Sequence, residues 1–333
     1  MILVTGATGI LGRVLALYLL KNGKNVRGTK RPSSNLEEVR HSFSFYTDDA
    51  DAWFSKIEWV NVDFDDQFSI QNALKDVSEV YHCAAKVSFN PSDSKDLYHT
   101  NIYGTKNLLY ACENSSVIKF LHVSSIAVLD NFNDQGFLDE DSEYNSKIDH
   151  SAYATSKHFS EMEVWRASAE GLSTIIINPG MIIGSGNWKQ SSGELIGSFV
   201  NTNYTFSGGT SYVDVRDVAK VAIELMEQNA FGERFILVAE AKSYRQVGDQ
   251  IRALLNKKPL KVISDSLLNF ALILNPLGIL IPKLKMINKV NIQAITTNSK
   301  ISNSKIKEKL DYDFISVKDS LAFHVENYKK DHK

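Results

Sequence analysis

Cysteine is scarce in this chain of 333 residues: only Cys83 and Cys112 occur, both among apolar neighbours. No CxxC pair and no histidine pair at ligand spacing accompanies them. A disulfide scaffold and a zinc site are thereby excluded, and a reducing cytoplasm is the expected compartment. Charge of one sign is lacking too. Lys+Arg total 37 against 39 Asp+Glu, a net charge of -2, which gives no sign of a nucleic-acid partner or of an anionic membrane surface. No stable membrane span is expected, because the apolar run Leu267–Ile281 is shorter than the ~20 residues a span needs. Asn275-Pro276 interrupts that run, so it reads as a buried or substrate-covering helix pair, with a membrane contact as the alternative. Met1-Ile2-Leu3-Val4 leads straight into a glycine loop, without the basic region and cleavage site of a secretory signal. Repeats, low-complexity tracts and Pro/Ser-rich linkers are also missing.

What is present is an ordinary globular composition, 43% hydrophobic and 23% charged, in a chain long enough to bury a large core. Short apolar runs read as strands at Ile2–Thr5, Asn25–Thr29, Glu58–Val62, Glu79–Cys83, Lys119–Ser124, Thr174–Ile177 and Phe235–Val238. Helical periodicity falls between them, at Leu11–Leu20, Ile70–Leu74, Leu97–Cys112, Tyr153–Ala169 and Val215–Met226. Strands alternating with helices imply right-handed βαβ units and an α/β, Rossmann-type doubly wound parallel sheet. The alternation fades beyond Leu260. The expected plan is therefore an NAD(P)-binding domain over 1–178 and 211–240, interleaved with a smaller, mostly helical substrate lobe over 179–210 and 241–333.

Thr5-Gly6-Ala7-Thr8-Gly9-Ile10-Leu11-Gly12 follows the first strand and opens the first helix. Gly6 permits the tight turn, Gly9 lets backbone approach a pyrophosphate, and Gly12 allows close helix–strand packing. The loop residues Thr8, Ile10 and Leu11 bring N–H groups to the helix N-terminus, where phosphate oxygens bind. An enzyme that prefers NAD(H) usually has a carboxylate after the second strand. Here Val26-Arg27-Gly28-Thr29-Lys30-Arg31 has none before Glu37. Lys30 and Arg31 suit the 2′-phosphate of NADP(H) instead, with a solvated basic loop as the alternative. Asp63, followed by Phe64, is placed to accept from an adenine amino group or to cap the next turn. Ala84 and Ala85, after His82-Cys83, are small enough to admit the cofactor, and His82 reads as a packed core histidine.

Tyr153 and Lys157 stand four residues apart, which puts them on one helix face. A cation beside a phenol favours the phenolate, so the spacing predicts a lowered Tyr153 pKa and a general acid or base. Ser125 ends the fifth strand, at the carboxyl edge where doubly wound sheets bind ligands. It either hydrogen-bonds a substrate oxygen or caps a turn. Asn101 either holds a water or backbone in the proton path or satisfies helix backbone.

In this order the set resembles the extended short-chain dehydrogenase/reductase (NAD-dependent epimerase/dehydratase) family. The likeness continues through Asn178-Pro179-Gly180-Met181-Ile182-Ile183-Gly184, Tyr212-Val213-Asp214-Val215-Arg216-Asp217 and Gly232-Glu233-Arg234-Phe235. It implies that Tyr153 is the general acid/base, that Ser125 orients the substrate oxygen and that Lys157 binds the nicotinamide ribose. It also implies that Asn101 supports the relay, that Pro179 and Ile182 pack near the nicotinamide, and that the chain forms a homodimer through helices around Leu97–Cys112 and Ala154–Ala169. Sugar-nucleotide epimerases usually carry Asn at the position of Met181 and Arg at that of Thr210. Both departures favour the dihydroflavonol-reductase-like and 3β-hydroxysteroid-dehydrogenase-like branch, hence a carbonyl or secondary-alcohol substrate. An epimerase/dehydratase and a non-catalytic NAD(P)-binding regulator are the alternatives. Asn178 stands where several branches have Arg. Met181, Trp188, Tyr204, Phe206 and Tyr212 are the expected lining of an apolar substrate pocket.

Overall fold

The computed structural model describes residues 1–188, 193–279 and 282–332. Its strands are β1 (Ile2–Thr5), β2 (Val26–Lys30), β3 (Glu58–Asn61), β4 (Glu79–His82), β5 (Lys119–Val123), β6 (Ser173–Pro179), β7 (Met181–Ile183), β8 (Tyr204–Thr205), β9 (Gly209–Asp214), β10 (Glu233–Leu237), β11 (Glu240–Ser243) and β12 (Lys261–Val262). Seven of them pair in parallel in the order β10-β6-β5-β4-β1-β2-β3. This is the Rossmann-type doubly wound sheet. Chain order reverses at β1, which lies between β2 and β4, so the crevice at the carboxyl ends of β1 and β4 is the ligand-binding switch point.

Burial on both faces explains why the strands read as unbroken apolar runs. Ile2, Val4, Leu121, Ile175 and Ile177 point into one core with the helices Ile10–Lys21 and Val215–Glu227. The intervening Leu3, Phe120 and Ile176 point into a second core with the helices Gln67–Ala73, Gly104–Glu113 and Ala152–Ala169. The side-chain period of two thus feeds two helix layers from one strand sequence.

A three-stranded sheet, β11-β9-β7, and a β12-β8 pair lie beyond the main sheet. A third core forms around Ile183, Phe199, Tyr212, Val247, Ile251 and Leu321. Ile306, Leu310, Tyr312 and Phe314 return to the first core, so the end of the chain braces both regions.

Three expectations are refined or corrected. Leu97–Cys112 is helical throughout, as its periodicity implies, but not as a plain α-helix: an α-helix over Ser94–Tyr98 leads into a π-helical turn, His99–Tyr103, and then the α-helix Gly104–Glu113. The π turn, which adds a residue to the helical repeat, contains Asn101 with its side chain buried and hydrogen-bonded. Leu267–Ile281, expected as a buried or substrate-covering helix pair, is not buried. Asp265–Ala271 is a short α-helix and Leu272–Ile279 a 3₁₀ run, with Leu267, Phe270 and Ile273 turned to solvent, and residues 280 and 281 lie outside the described residues. Among the described residues no helix is long and apolar enough to cross a membrane.

The aromatic pocket is the third correction. Tyr212 is fully buried in the third core, and Trp188 packs on Tyr328 while its indole N–H donates to Asp331 Oδ2 at 2.7 Å. Tyr204 faces solvent on β8. The lobe needs these large side chains to fill its own small core, which sequence pattern alone does not distinguish from a ligand wall.

Candidate active site

The glycine loop is shaped by close backbone approach. Gly6 has φ +62°, and a Cβ there would lie 2.8 Å from Ala84 Cα. At Gly12 a Cβ would overlap the carbonyl oxygen of Gly6. The helix Ile10–Lys21 starts at Gly9 with no side chain capping its first turn, leaving the N-terminus open to an anion. Gly6 N–H donates to Thr29 Oγ1 at 3.2 Å and Ala84 N–H to Thr5 Oγ1 at 3.2 Å, which ties the ends of β1, β2 and β4 together. This cradle, with no room for a Cβ at Gly6 or Gly12, fits a dinucleotide pyrophosphate. Thr8, Ile10, Leu11, Gly9, Ala84 and Ala85 all lie around it.

Arg13 is a residue the sequence reading passed over. It is 1% exposed. Its guanidinium binds Glu38 bidentately at 2.7 and 2.8 Å and also donates to the Thr8 carbonyl, so it clamps the loop from beneath. Glu38 accepts from Asn187 N–H as well, at 2.6 Å. The available signal was a lone cation inside a helix that is otherwise apolar.

At the carboxyl end of β2, Lys30 Nζ donates to Asn61 Oδ1 at 2.8 Å and Arg31 is exposed. Glu37, the first carboxylate beyond them, pairs with Arg40 at 3.3 Å. Asp63 is exposed, and its Oδ1 accepts from Asp65 N–H at 3.0 Å, so it caps its own turn. Phe64 packs edge-on against His82 at 5.8 Å. Pro179 is buried at the end of β6, and Ile182 packs against the first core.

Three elements converge on the end of β5. The helix Ala152–Ala169 starts at Ser151, whose hydroxyl accepts from Ala154 N–H at 3.1 Å. It aims Tyr153 and Lys157 at the sheet edge. Lys157 is 2% exposed, and its Nζ donates to the Val123 carbonyl at 2.6 Å. Burial lowers its pKa to about 8, with Glu161 opposing. Burial raises the Tyr153 phenol, against a hydrogen bond from Ser125 that lowers it. The direction is thus opposite to the expected lowering: burial dominates at the phenol, while the Lys157 ammonium is engaged by a backbone carbonyl. Ser125 also caps the 3₁₀ turn Ile126–Val128, accepting from Ala127 N–H at 3.2 Å.

Asn101 accepts from Lys86 N–H at 2.8 Å and donates to the Lys86 carbonyl at 3.0 Å and to Ser156 Oγ at 2.9 Å. It joins the loop after β4 to the Tyr153 helix by holding backbone. Asn178, at the position where several branches have Arg, donates to the Ser125 carbonyl at 3.0 Å and to Glu161 Oε1 at 2.7 Å. Arg234 Nη1 approaches Glu161 Oε2 at 3.5 Å. Glu161 thus faces a guanidinium delivered from β10. Glu161, 1% exposed and one turn beyond Lys157, links the backbone of Ser125 to the helix that carries Tyr153.

Ser185, His324 and Asp214 have the order of a nucleophile, a base and an acid. Ser185 Oγ lies 2.6 Å from His324 Nδ1, and His324 Nε2 lies 3.2 Å from Asp214 Oδ2. All three are at most 1% exposed, so no substrate reaches them and the arrangement is a structural clamp.

Burial lowers His82 to about 3, and lowers His122 and His324 as well. His82 sits between Thr5 Oγ1 and Thr105 Oγ1 at 2.7 and 3.0 Å, as a core histidine. In the unfolded chain each histidine titrates near ~6.5. Below that pH the unfolded state binds more protons, so stability rises with pH. Three such groups are expected to cost about 2 kcal/mol between about pH 7 and pH 6. Urea unfolding at the two pH values measures it, and an unchanged midpoint would contradict neutral burial of these rings.

The model of the NAD dependent epimerase/dehydratase family matches residues 2–238. Over 248 residues the chain is 30% identical to a Methylococcus capsulatus protein named Sterol demethylase protein B, covering 74% of this chain and 71% of that one. Over 221 residues it is 29% identical to a putative dihydroflavonol 4-reductase of Synechocystis, covering 65% and 60%. The crystal structure of Gre2 in complex with NADPH from Candida albicans has the same fold, with a TM-score of 0.76 at 22% identity over 100% of this chain and 99% of that one.

Proposed function

This chain belongs to the NAD dependent epimerase/dehydratase family and is an NAD(P)-dependent oxidoreductase; from that premise we propose that it reduces a ketone or aldehyde with NADPH, or runs the reverse oxidation of a secondary alcohol. The observation that carries the reading is the convergence of Ser125, Tyr153 and Lys157 on the end of β5. A reduced nicotinamide, when bound, supplies hydride to the carbonyl carbon. The protein does the rest. The glycine loop and the helix start at Gly9 hold the pyrophosphate, and Lys157 holds the ribose hydroxyls. Pro179 and Ile182 pack beside the nicotinamide. Ser125 donates to the substrate oxygen, and Tyr153 gives its phenolic proton to that oxygen as negative charge develops there. Asn101 and Glu161 act through others, fixing the helix and the β5 end at the distance that proton transfer needs. The lobe over 179–210 and 241–333 supplies the substrate side.

Two relatives carry the names of a dihydroflavonol reductase and a sterol-processing protein, and both names favour an apolar oxygenated substrate over a nucleotide sugar. NADPH oxidation measured over a panel of aryl and steroidal ketones and aldehydes tests the reading. Turnover on any of them supports it. Turnover only on a nucleoside-diphosphate sugar would replace it with the epimerase reading.

The cofactor preference has its own check. Arg31→Ala removes the fork assigned to the 2′-phosphate, and hydrogen bonds to charged groups contribute about 1.5–3 kcal/mol. The NADPH/NADH affinity ratio is expected to drop by about tenfold or more, read by fluorescence titration of both cofactors. An unchanged ratio removes Arg31 from the cofactor site.

A further inference from the structure

The segment expected as a buried or substrate-covering helix pair turns apolar side chains to solvent. Leu267, Phe270, Ile273 and Leu274 recur at helical spacing and are 59, 69, 67 and 44% exposed, and Met286 is 45% exposed. Water-facing apolar side chains usually occur singly, whereas a contiguous set marks a docking surface. The local charge is distinctive as well. From residue 265 to 299 the chain has three lysines, Lys283, Lys285 and Lys289, against one carboxylate, Asp265, which accepts from Ser207 Oγ at 2.5 Å, in a protein whose overall charge is -2. Lys289 is exposed, and the short helices that carry these residues pack on one another. Apolar side chains edged by lysines are what an anionic bilayer accepts: the hydrocarbon parts enter the acyl boundary and the ammonium groups reach the headgroups.

The surface is continuous with the candidate site. Asn291 Nδ2 donates to the Met286 carbonyl at 2.9 Å and to the Phe89 carbonyl at 3.0 Å. Phe89 is 50% exposed, and its ring lies 5.9 Å from that of Tyr153. The Asn291 amide therefore ties the exposed face to the loop whose Phe89 ring packs on Tyr153.

We propose that the face carrying Leu267, Phe270, Ile273, Leu274 and Met286 is a peripheral docking surface for an anionic lipid bilayer, placed to pass apolar substrate between the membrane and the site at Tyr153. Docking does not depend on the reduction chemistry, so it is tested without turnover. The full chain is sedimented with vesicles of phosphatidylcholine alone and of phosphatidylcholine mixed with phosphatidylglycerol. The expected result is cosedimentation with the mixed vesicles at least about fivefold above that with phosphatidylcholine alone. Phe270→Glu with Ile273→Glu is expected to abolish it while unfolding temperature and NADPH binding stay at wild-type values, since both side chains face solvent. Lys285→Gln with Lys289→Gln is expected to remove the preference for phosphatidylglycerol. Absence of binding, equal binding to both vesicles, or full binding by the glutamate variant would overturn the proposal. So would dimerisation in light scattering, without vesicles, that the glutamate variant abolishes, because the face would then belong to a second copy.

Discussion

Tyr153→Phe is expected to lower kcat by about a hundred- to ten-thousandfold while NADPH affinity stays within about twofold of wild type, because it deletes one acidic proton and little volume. The phenol is placed by Ser151 capping its helix and by the Ser125 hydroxyl beside it. The helix cap is untouched by the substitution, and only the Ser125 contact goes with the phenolic oxygen. Burial holds the phenol above its ordinary range, so at neutral pH it is protonated and acts as an acid towards a developing alkoxide. In the reductive direction activity is then expected to fall as pH rises and that proton is lost. Steady-state kinetics over pH and a fluorescence titration of NADPH measure the two quantities independently. If turnover were unchanged, Tyr153 would not be the acid, and Ser125 would be left as the hydroxyl donor at the end of β5.

The largest effect on stability is expected from Asp214→Ala. Asp214 is 1% exposed and accepts from Arg216 N–H and Nε, both at 2.8 Å, from Arg216 Nη2 at 2.7 Å and from Ser320 Oγ at 2.6 Å. Burial opposes its charge, but hydrogen bonds from Arg216 and His324 outweigh burial and hold the carboxyl well below the usual range. Its contribution is therefore present above the unfolded value near ~3.9 and is lost only in strong acid. Removing the carboxylate leaves the Arg216 guanidinium, stacked over Phe323 at 4.0 Å, without its counter-charge. Breaking a buried pair costs about 3–5 kcal/mol, a large share of the ~5–15 kcal/mol that holds a typical domain. Urea unfolding at neutral pH is the measurement. A loss below about 1 kcal/mol would show that Arg216 finds water or another partner once Asp214 is gone.

Much of the sheet was legible because its signals are local. The central strands of the parallel sheet are buried on both faces, so a run such as Thr174–Ile177 announces burial without reference to any partner. The glycine loop was legible for the same reason: a turn with φ +62° and contacts too close for a Cβ admits little but glycine. Tyr153 and Lys157 were readable as one face of a helix from their spacing alone.

What escaped the sequence depends on partners far along the chain. Arg13 meets Glu38 and Glu161 meets Asn178 and Arg234, and none of these pairs follows a helical or strand period. The direction of the Tyr153 pKa was misread because spacing places Lys157 beside the phenol, whereas the fold gives its ammonium to the Val123 carbonyl. Tyr212 looked like a pocket wall but is core, Trp188 packs half-buried against that core, and Phe270 and Ile273, expected as buried or substrate-covering, face water. A hydrophobic side chain carries no label saying what will cover it.

The sequence by itself determined the βαβ order, the phosphate loop and the residue types at the end of β5, because backbone sterics and hydrophobic period act over a few residues. Only the tertiary structure decided how charged the phenol and the ammonium are, which guanidinium faces Glu161, and which apolar face was left for a partner. Those depend on distance and burial between segments that no helical or strand period connects, and the order of amino acids does not state either quantity.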